Sequence, residues 1–246
     1  MLPASETKNN AVLVLSSGIT LIQSDDGLAN GTGLWIGGQI LTAFLVSSGL
    51  VKSGMRVIEL GSGIGFTAIS LAKLGCAVDA TDIPIVLGKT LVPNVARNSD
   101  LPGTVRVREL DWSVAPQNWR WDHPTAIASP THSPSVEQKL TTPFDMVLSA
   151  DTIYSTDLVA PLMRSLQAIC LQSLAVSSRV PPVYLCLERR DPQLVDHALK
   201  EADETWGFTV TRIPKHKVSK AVDKMYEWQK AEWEGVEIYK LVLRKK

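Results

Sequence analysis

Two short, largely apolar runs, 11–16 and 19–23, are joined by the polar pair Ser17-Gly18 and predict a β-hairpin. A polar, glycine-rich stretch over 25–33 then reads as a loop. From 34 to 50, Leu34, Ile40, Leu41, Phe44, Leu45 and Ser48 share one helical face and predict a lead-in helix. Beyond it, apolar runs predict strands over 56–60, 77–80, 105–110, 144–150, 183–187, 208–213 and 236–243. Helical patterns lie between them: 66–74 closed by Gly75, 84–97 with Pro84 near its start, a stripe of Leu158, Leu162, Leu166 and Ile169, and 192–204. Strands alternating with helices predict an α/β fold, a seven-stranded and mostly parallel sheet with helices on both faces. The stretch 113–143 breaks this rhythm with Pro116, Pro124, Pro130, Pro134 and Pro143 among serines and threonines. It reads as a long surface loop insertion, partly disordered.

Composition narrows the class of partner. The chain has 246 residues, enough to bury a core, and its 45% hydrophobic content is that of an ordinary globular protein. Its 25 Lys and Arg balance 25 Asp and Glu, so overall charge favours neither nucleic acid nor a membrane surface. One basic exception is the tail, 212–246. Cys76, Cys170 and Cys186 are odd in number and flanked by apolar residues, which predicts reduced, buried thiols. No signal architecture opens the chain and no stretch reads as transmembrane, so the expectation is a soluble, intracellular protein. His123, His132, His197 and His216 show no metal-ligand spacing, and no metal is expected.

The chemistry concentrates after the first core strand. Residues 56–60 lead into Gly61-Ser62-Gly63-Ile64-Gly65, and a helix begins there. Glycines let the backbone turn sharply and approach a ligand, and the helix start offers free N–H groups to an anionic group. Asp82 follows 21 residues after Gly61, at the end of the next strand, where an acid accepts hydrogen bonds from ribose hydroxyls. A dinucleotide fingerprint would need glycine at position 66, which is Phe66. The spacing is instead G-x-G-x-G with Glu59 two residues ahead.

This turn resembles motif I of the seven-strand, Rossmann-like methyltransferases. Four more segments resemble lysine methyltransferase family 16: Gly31-Thr32-Gly33-Leu34-Trp35 with Gln39 to Leu41, Leu110-Asp111-Trp112, Ser149-Ala150-Asp151-Thr152-Ile153-Tyr154, and Glu188-Arg189-Arg190. The last resembles the branch that holds the valosin-containing-protein and elongation factor 1A lysine methyltransferases. Gly37-Gly38 departs from that pattern, where a bulkier pair is usual. The resemblance implies a single domain over 1–246, with the hairpin and lead-in helix in 1–50 and the seven-strand core in 51–246. It implies S-adenosyl-L-methionine as cofactor, lined by Trp35, Glu59, Gly61, Ser62, Gly63, Gly65, Asp82, Ile83, Asp111, Trp112 and Ala150. The acid at Glu59 would hold the methionine part and the acid at Asp82 the ribose. Trp112 at a strand end suits stacking on the adenine.

The resemblance further implies Asp151 and Tyr154 as catalytic residues, acting on a lysine of a folded protein such as an elongation factor or a chaperone-like ATPase. The expected protein is a cytoplasmic monomer, nuclear residence being compatible. A lysine amine must be neutral to accept a methyl group, and neutralising it at pH 7 costs about 4–5 kcal/mol. A carboxylate at Asp151 raises the lysine pKa, which opposes deprotonation, yet stabilises the cation that re-forms on nitrogen. Asp151 is therefore expected to orient and stabilise, with Tyr154 offering its ring face or hydroxyl. Two other readings stand beside this one: a small-molecule amine methyltransferase, and a non-catalytic cofactor-binding subunit. The segment 214–235 carries Lys215, Lys217, Lys220 and Lys224 beside Met225, Tyr226, Trp228 and Trp233, the composition of a protein-recognition surface or of an amphipathic helix packed on the sheet.

Overall fold

The computed structural model describes residues 7, 9–24, 27–132 and 138–244. Strands β1 (Val12–Val14) and β2 (Thr20–Ile22) pair antiparallel, the expected hairpin. The hairpin's inward residues Leu13, Ile19 and Leu21 pack on Ile64, in the glycine turn, and on Phe66 and Ile69 directly after it. Side chains close the open edge of β2. The Ile22 amide donates to Asn94 Oδ1 at 2.7 Å, and Asn94 Nδ2 donates to the Ile64 carbonyl at 2.9 Å. The hairpin is thus pinned to the turn that follows the first core strand.

Helix α1 (Ile36–Ser47) leads into the core. Strands β3 (Arg56–Leu60), β4 (Ala77–Asp82), β5 (Thr104–Leu110), β6 (Ala126–Ala128), β7 (Met146–Ala150) and β8 (Val183–Glu188) run parallel. With β9 (Phe208–Arg212) and β10 (Val236–Leu243) they form one sheet in the order β6-β5-β4-β3-β7-β8-β10-β9, with β10 antiparallel to both neighbours. Helices α2 (Phe66–Ala72), α3 (Pro84–Val86), α4 (Val92–Arg97), α5 (Thr156–Ser177), α6 (Pro192–Glu204) and α7 (Lys215–Met225) join these strands. A π-helical stretch, Leu87–Leu91, links α3 to α4 and ends just before Pro93, which has no amide hydrogen to donate.

Two expectations are corrected, and one left open is decided. The sheet has eight strands, the eighth being β6 inside the expected loop. Three apolar residues among prolines give no strand signal, yet they are buried on the β5 edge beside Trp119 and Trp121. Fully buried Arg108 fastens this insertion, its guanidinium donating to the carbonyls of Trp121 at 2.8 Å and His123 at 2.7 Å. The described part of 113–143 is therefore integral to the core. The remainder, 133–137, lies outside the described residues.

Secondly, α5, with 22 residues, is long and apolar enough to cross a membrane. Of the expected stripe, Leu162, Leu166 and Ile169 are buried in the core and Leu158 is half-buried, with Val159 buried beside it, which accounts for the apolarity. Of the two readings of 214–235, the structure takes the packed helix, and the aromatics face inward. Trp233 is buried, Tyr226 stacks on Trp228 with ring centroids 4.3 Å apart, and Val218, Ala221 and Val222 pack with the α1 side chains. Lys217, Lys220 and Lys224 are left outside.

Candidate active site

Chain order reverses across β3, since β4, β5 and β6 lie on one side and β7 and β8 on the other. The crevice beyond the carboxyl ends of the strands at such a switch point is where α/β sheets bind ligands. The glycine turn opens this crevice with Gly61 at φ 71° and Gly63 at φ 56°, backbone that other residues rarely adopt. A Cβ at Gly61 would lie 2.6 Å from Thr152 Cγ2 and 3.5 Å from the Trp112 ring. One at Gly63 would lie 3.0 Å from the Gly31 carbonyl oxygen. The three-residue turn at Asn30–Thr32 is thus draped over the glycine turn.

Two acids stand beneath it. Asp82 Oδ2 accepts from the Gly63 amide at 2.9 Å and Oδ1 from the Ile83 amide at 2.8 Å. Burial nevertheless raises its pKa to about 6. Glu59 is buried at the end of β3, and desolvation pushes its pKa to about 8 against the lowering effect of hydrogen bonds from Ser62, Thr67 and Ala68. Its Oε2 is buried without a hydrogen-bond partner. Trp112 Nε1 is buried in the same condition, while the Trp112 carbonyl accepts from Arg164 Nη2 at 2.6 Å.

Asp151 directly follows β7 in the left-handed region, φ 54°. Its Oδ2 accepts from the Gly37 amide in the first turn of α1 at 2.6 Å, and Oδ1 from the Glu188 amide at 3.2 Å. Burial raises its pKa to about 6, and the two amides and Arg190 pull against that rise. A Cβ at Gly37 would fall 2.5–2.7 Å from all three atoms of the carboxylate. Tyr154 is 55% exposed, and burial of the rest of its surface, with Asp82 acting in the same direction, raises its pKa. The Arg190 guanidinium carbon lies 4.8 Å over the Trp35 ring, whose Nε1 donates to the Asn30 carbonyl at 2.6 Å.

The crevice therefore gathers Trp35, Glu59, Gly61, Gly63, Asp82, Ile83, Trp112, Ala150, Asp151 and Tyr154. Other expected residues do local structural work. Ser62 Oγ accepts from the Thr81 amide at 3.0 Å, and so ties β3 to β4. A Cβ at Gly65 would meet Leu91 at 2.7 Å, so this glycine serves helix packing. Asp111 Oδ1 accepts from the Ser113 amide at 2.8 Å in a local turn. Sequence reasoning did not single out Gly31, Gly37 or Thr152 as contacts. A glycine pair at the head of a helix costs roughly 1 kcal/mol per glycine relative to alanine, and that cost was a readable sign of a close approach.

The fold is that of the Rossmann-like methyltransferases. A solved methyltransferase from Pyrococcus furiosus superposes with a TM-score of 0.51 at 15% identity, covering 97% of this chain and 92% of that one. Residues 15–124 match the family model described as lysine methyltransferase. It is 29% identical over 123 residues to the protein-lysine methyltransferase METTL21E of Bos taurus, covering 49% of this chain and 36% of that protein. It is 27% identical over 137 residues to the EEF1A lysine methyltransferase 3 of Xenopus tropicalis, covering 56% of this chain and 51% of that protein. The chain spans roughly two-fifths of the length of the first relatives it matches.

The residues present fit S-adenosyl-L-methionine, the cofactor of this family. Glu59, an acid kept protonated by burial with one oxygen unpaired, is suited to the cofactor's α-ammonium, which would favour its ionised form. Asp82 retains lone pairs for the ribose, and Trp112 and Ile83 offer apolar surface beside it.

Proposed function

We propose that the chain transfers a methyl group from S-adenosyl-L-methionine to a lysine side-chain nitrogen of a folded protein, such as a translation elongation factor or a chaperone-like ATPase. The match of 15–124 to the lysine methyltransferase family model supports this, as do relatives whose names specify protein lysines. The observation that carries it is Asp151, a carboxylate clamped by two backbone amides at the switch-point crevice, with Tyr154 and Trp35 open to the outside. A small-molecule enzyme would enclose its acceptor. Here the acceptor side is open, as a side chain projecting from another protein requires.

When bound, the cofactor supplies a methyl group on a cationic sulfur, open to in-line attack. The chain's own residues position the amine. Asp151 is held at a fixed orientation, so its charge is preorganised toward the cation that forms on nitrogen. With both oxygens engaged it orients and stabilises rather than abstracting a proton. The Tyr154 ring supplies a face for the same cation. We place the enzyme in the cytoplasm, as a monomer. Incubation with labelled cofactor and native cell extract, followed by mass spectrometry, should find label on one or few protein lysines. Label confined to small amines, or none, would refute the proposal.

A further inference from the structure

Asp151 cannot be the first group to meet an incoming lysine, because its two oxygens are bound to backbone amides and it sits at the floor of the crevice. The next acid outward is Glu188, at the end of β8, with a side chain 34% exposed. Its own amide donates to Asp151 Oδ1 at 3.2 Å, which seats the Asp151 carboxylate against the Glu188 backbone. Glu188 Oε2 accepts from Arg190 Nε at 2.7 Å and also from Nη2, while the same guanidinium lies over Trp35. The Arg190 side chain is more than half exposed. An ion pair so exposed to water is weak and exchanges readily, whereas a carboxylate clamped by backbone does not.

Resting on the protein-lysine reading above, we propose that Glu188 is the residue that captures the target lysine's ammonium, with Arg190 as its resting counter-ion. The incoming ammonium displaces Arg190 from Glu188, and Arg190 remains on the face of Trp35, so no cation is stranded. The exchange selects a long cationic side chain and places its nitrogen beside Asp151. A neutral or anionic side chain cannot release Arg190 and is rejected.

The two partners then have opposite signatures. Initial rates with purified full-length chain and labelled cofactor are read over a dilution series of native cell extract, alongside cofactor calorimetry and thermal melting. Glu188→Gln should lower the rate at limiting extract at least tenfold, with cofactor affinity and melting unchanged, and Glu188→Asp should restore part of it. Arg190→Met should raise the rate at limiting extract severalfold by removing the competitor. Loss of activity in Arg190→Met parallel to that in Glu188→Gln overturns the inference, as does full activity, weakened cofactor binding or lowered melting in Glu188→Gln. A wild-type chain that binds cofactor but labels no lysine removes the proposed function itself, and this inference with it.

Discussion

The Asp151 carboxylate lies 2.6 Å from the amide of Gly37, 114 residues earlier in the chain, and no side-chain carbon fits between them. One interaction therefore fastens the head of α1, which carries Trp35, to the end of β7, which carries the proposed catalytic acid. Local order and site geometry are the same feature here.

Gly37→Ala tests this directly. A Cβ would overlap the carboxylate at 2.5–2.7 Å, and such overpacking costs about 1–3 kcal/mol. Displacing the acid by about an ångström is expected to reduce methyl transfer on the order of 100-fold. Gly38→Ala is the control. Its Cβ meets Thr67 Oγ1 at an ordinary 3.4 Å, so melting should rise, by about 0.4–1 kcal/mol, with activity kept. Equal behaviour of the two variants in melting and rate assays would contradict the argument.

Asp151→Ala should cut methyl transfer by about two orders of magnitude, on the order of 3 kcal/mol. It should also lower the melting temperature, because the Gly37 and Glu188 amides lose their acceptor at about 1–3 kcal/mol each. The sequence alone suggested a purely chemical effect. A variant that is inactive yet melts like wild type would favour that simpler view.

How far the sequence carried can be judged residue by residue. The glycine turn, Asp82 and seven strands were legible because short-range patterns encode them: glycines where φ is positive, an acid at a strand end, apolar runs of strand length. Strand β6 was not, since Ala126–Ala128 pairs only because Arg108, buried in β5, gathers the carbonyls of the insertion. Nor was the Asp151–Gly37 contact, which depends on how two distant elements meet. Gly63 marks another limit. Its glycine suits a ligand's close approach, but the structure also sets the Gly31 carbonyl 3.0 Å from a Cβ there, so Gly63→Val attacks the fold of the turn as well.

The insertion supplies a stability test. Trp119 is fully buried, donates Nε1–H to the Val114 carbonyl at 3.2 Å and meets Trp121 edge-on at 5.7 Å. Trp119→Ala should destabilise by roughly 3–5 kcal/mol in denaturant unfolding, as core tryptophans do. A change below about 0.5 kcal/mol, normal for surface positions, would restore the picture of a loose loop.

Glu59 sets a pH dependence. Its carboxyl has a raised pKa in the folded chain, about 8 against an ordinary 4.5, because burial disfavours the ion. Between those values the folded state holds a proton that the unfolded state has released, so stability falls as pH rises from about 4.5 to 8. Glu59→Gln mimics the protonated form. It should flatten that slope and raise stability at pH 8 by a few kcal/mol, on the order set by the shift, while cofactor binding is lost. Calorimetry of the wild type near pH 7 should show proton release when cofactor binds. Normal cofactor binding by the Glu59→Gln variant would remove Glu59 from the site.

The outer face of α7 bears on how a protein substrate docks. With its aromatics turned inward, the helix presents Lys217, Lys220 and Lys224 to water, and Asp223 is its one acid. The Tyr226 hydroxyl, just past its end, donates to the Gln39 carbonyl of α1 at 3.2 Å, which brings the basic face close to the head of α1 and the crevice. Eleven helical residues extend it by about 16 Å, a distance a folded partner spans easily. Such a face steers an acidic surface toward the open side of the site, an effect that salt screens over roughly 8–10 Å. Lys217→Glu with Lys220→Glu should leave melting within about 0.5 kcal/mol of wild type and cofactor affinity unchanged. Methylation of extract proteins should fall severalfold, and the wild type's loss of rate between low and physiological salt should become shallower. If the double reversal is silent at low salt, the face is only a solvated helix surface and the partner docks elsewhere.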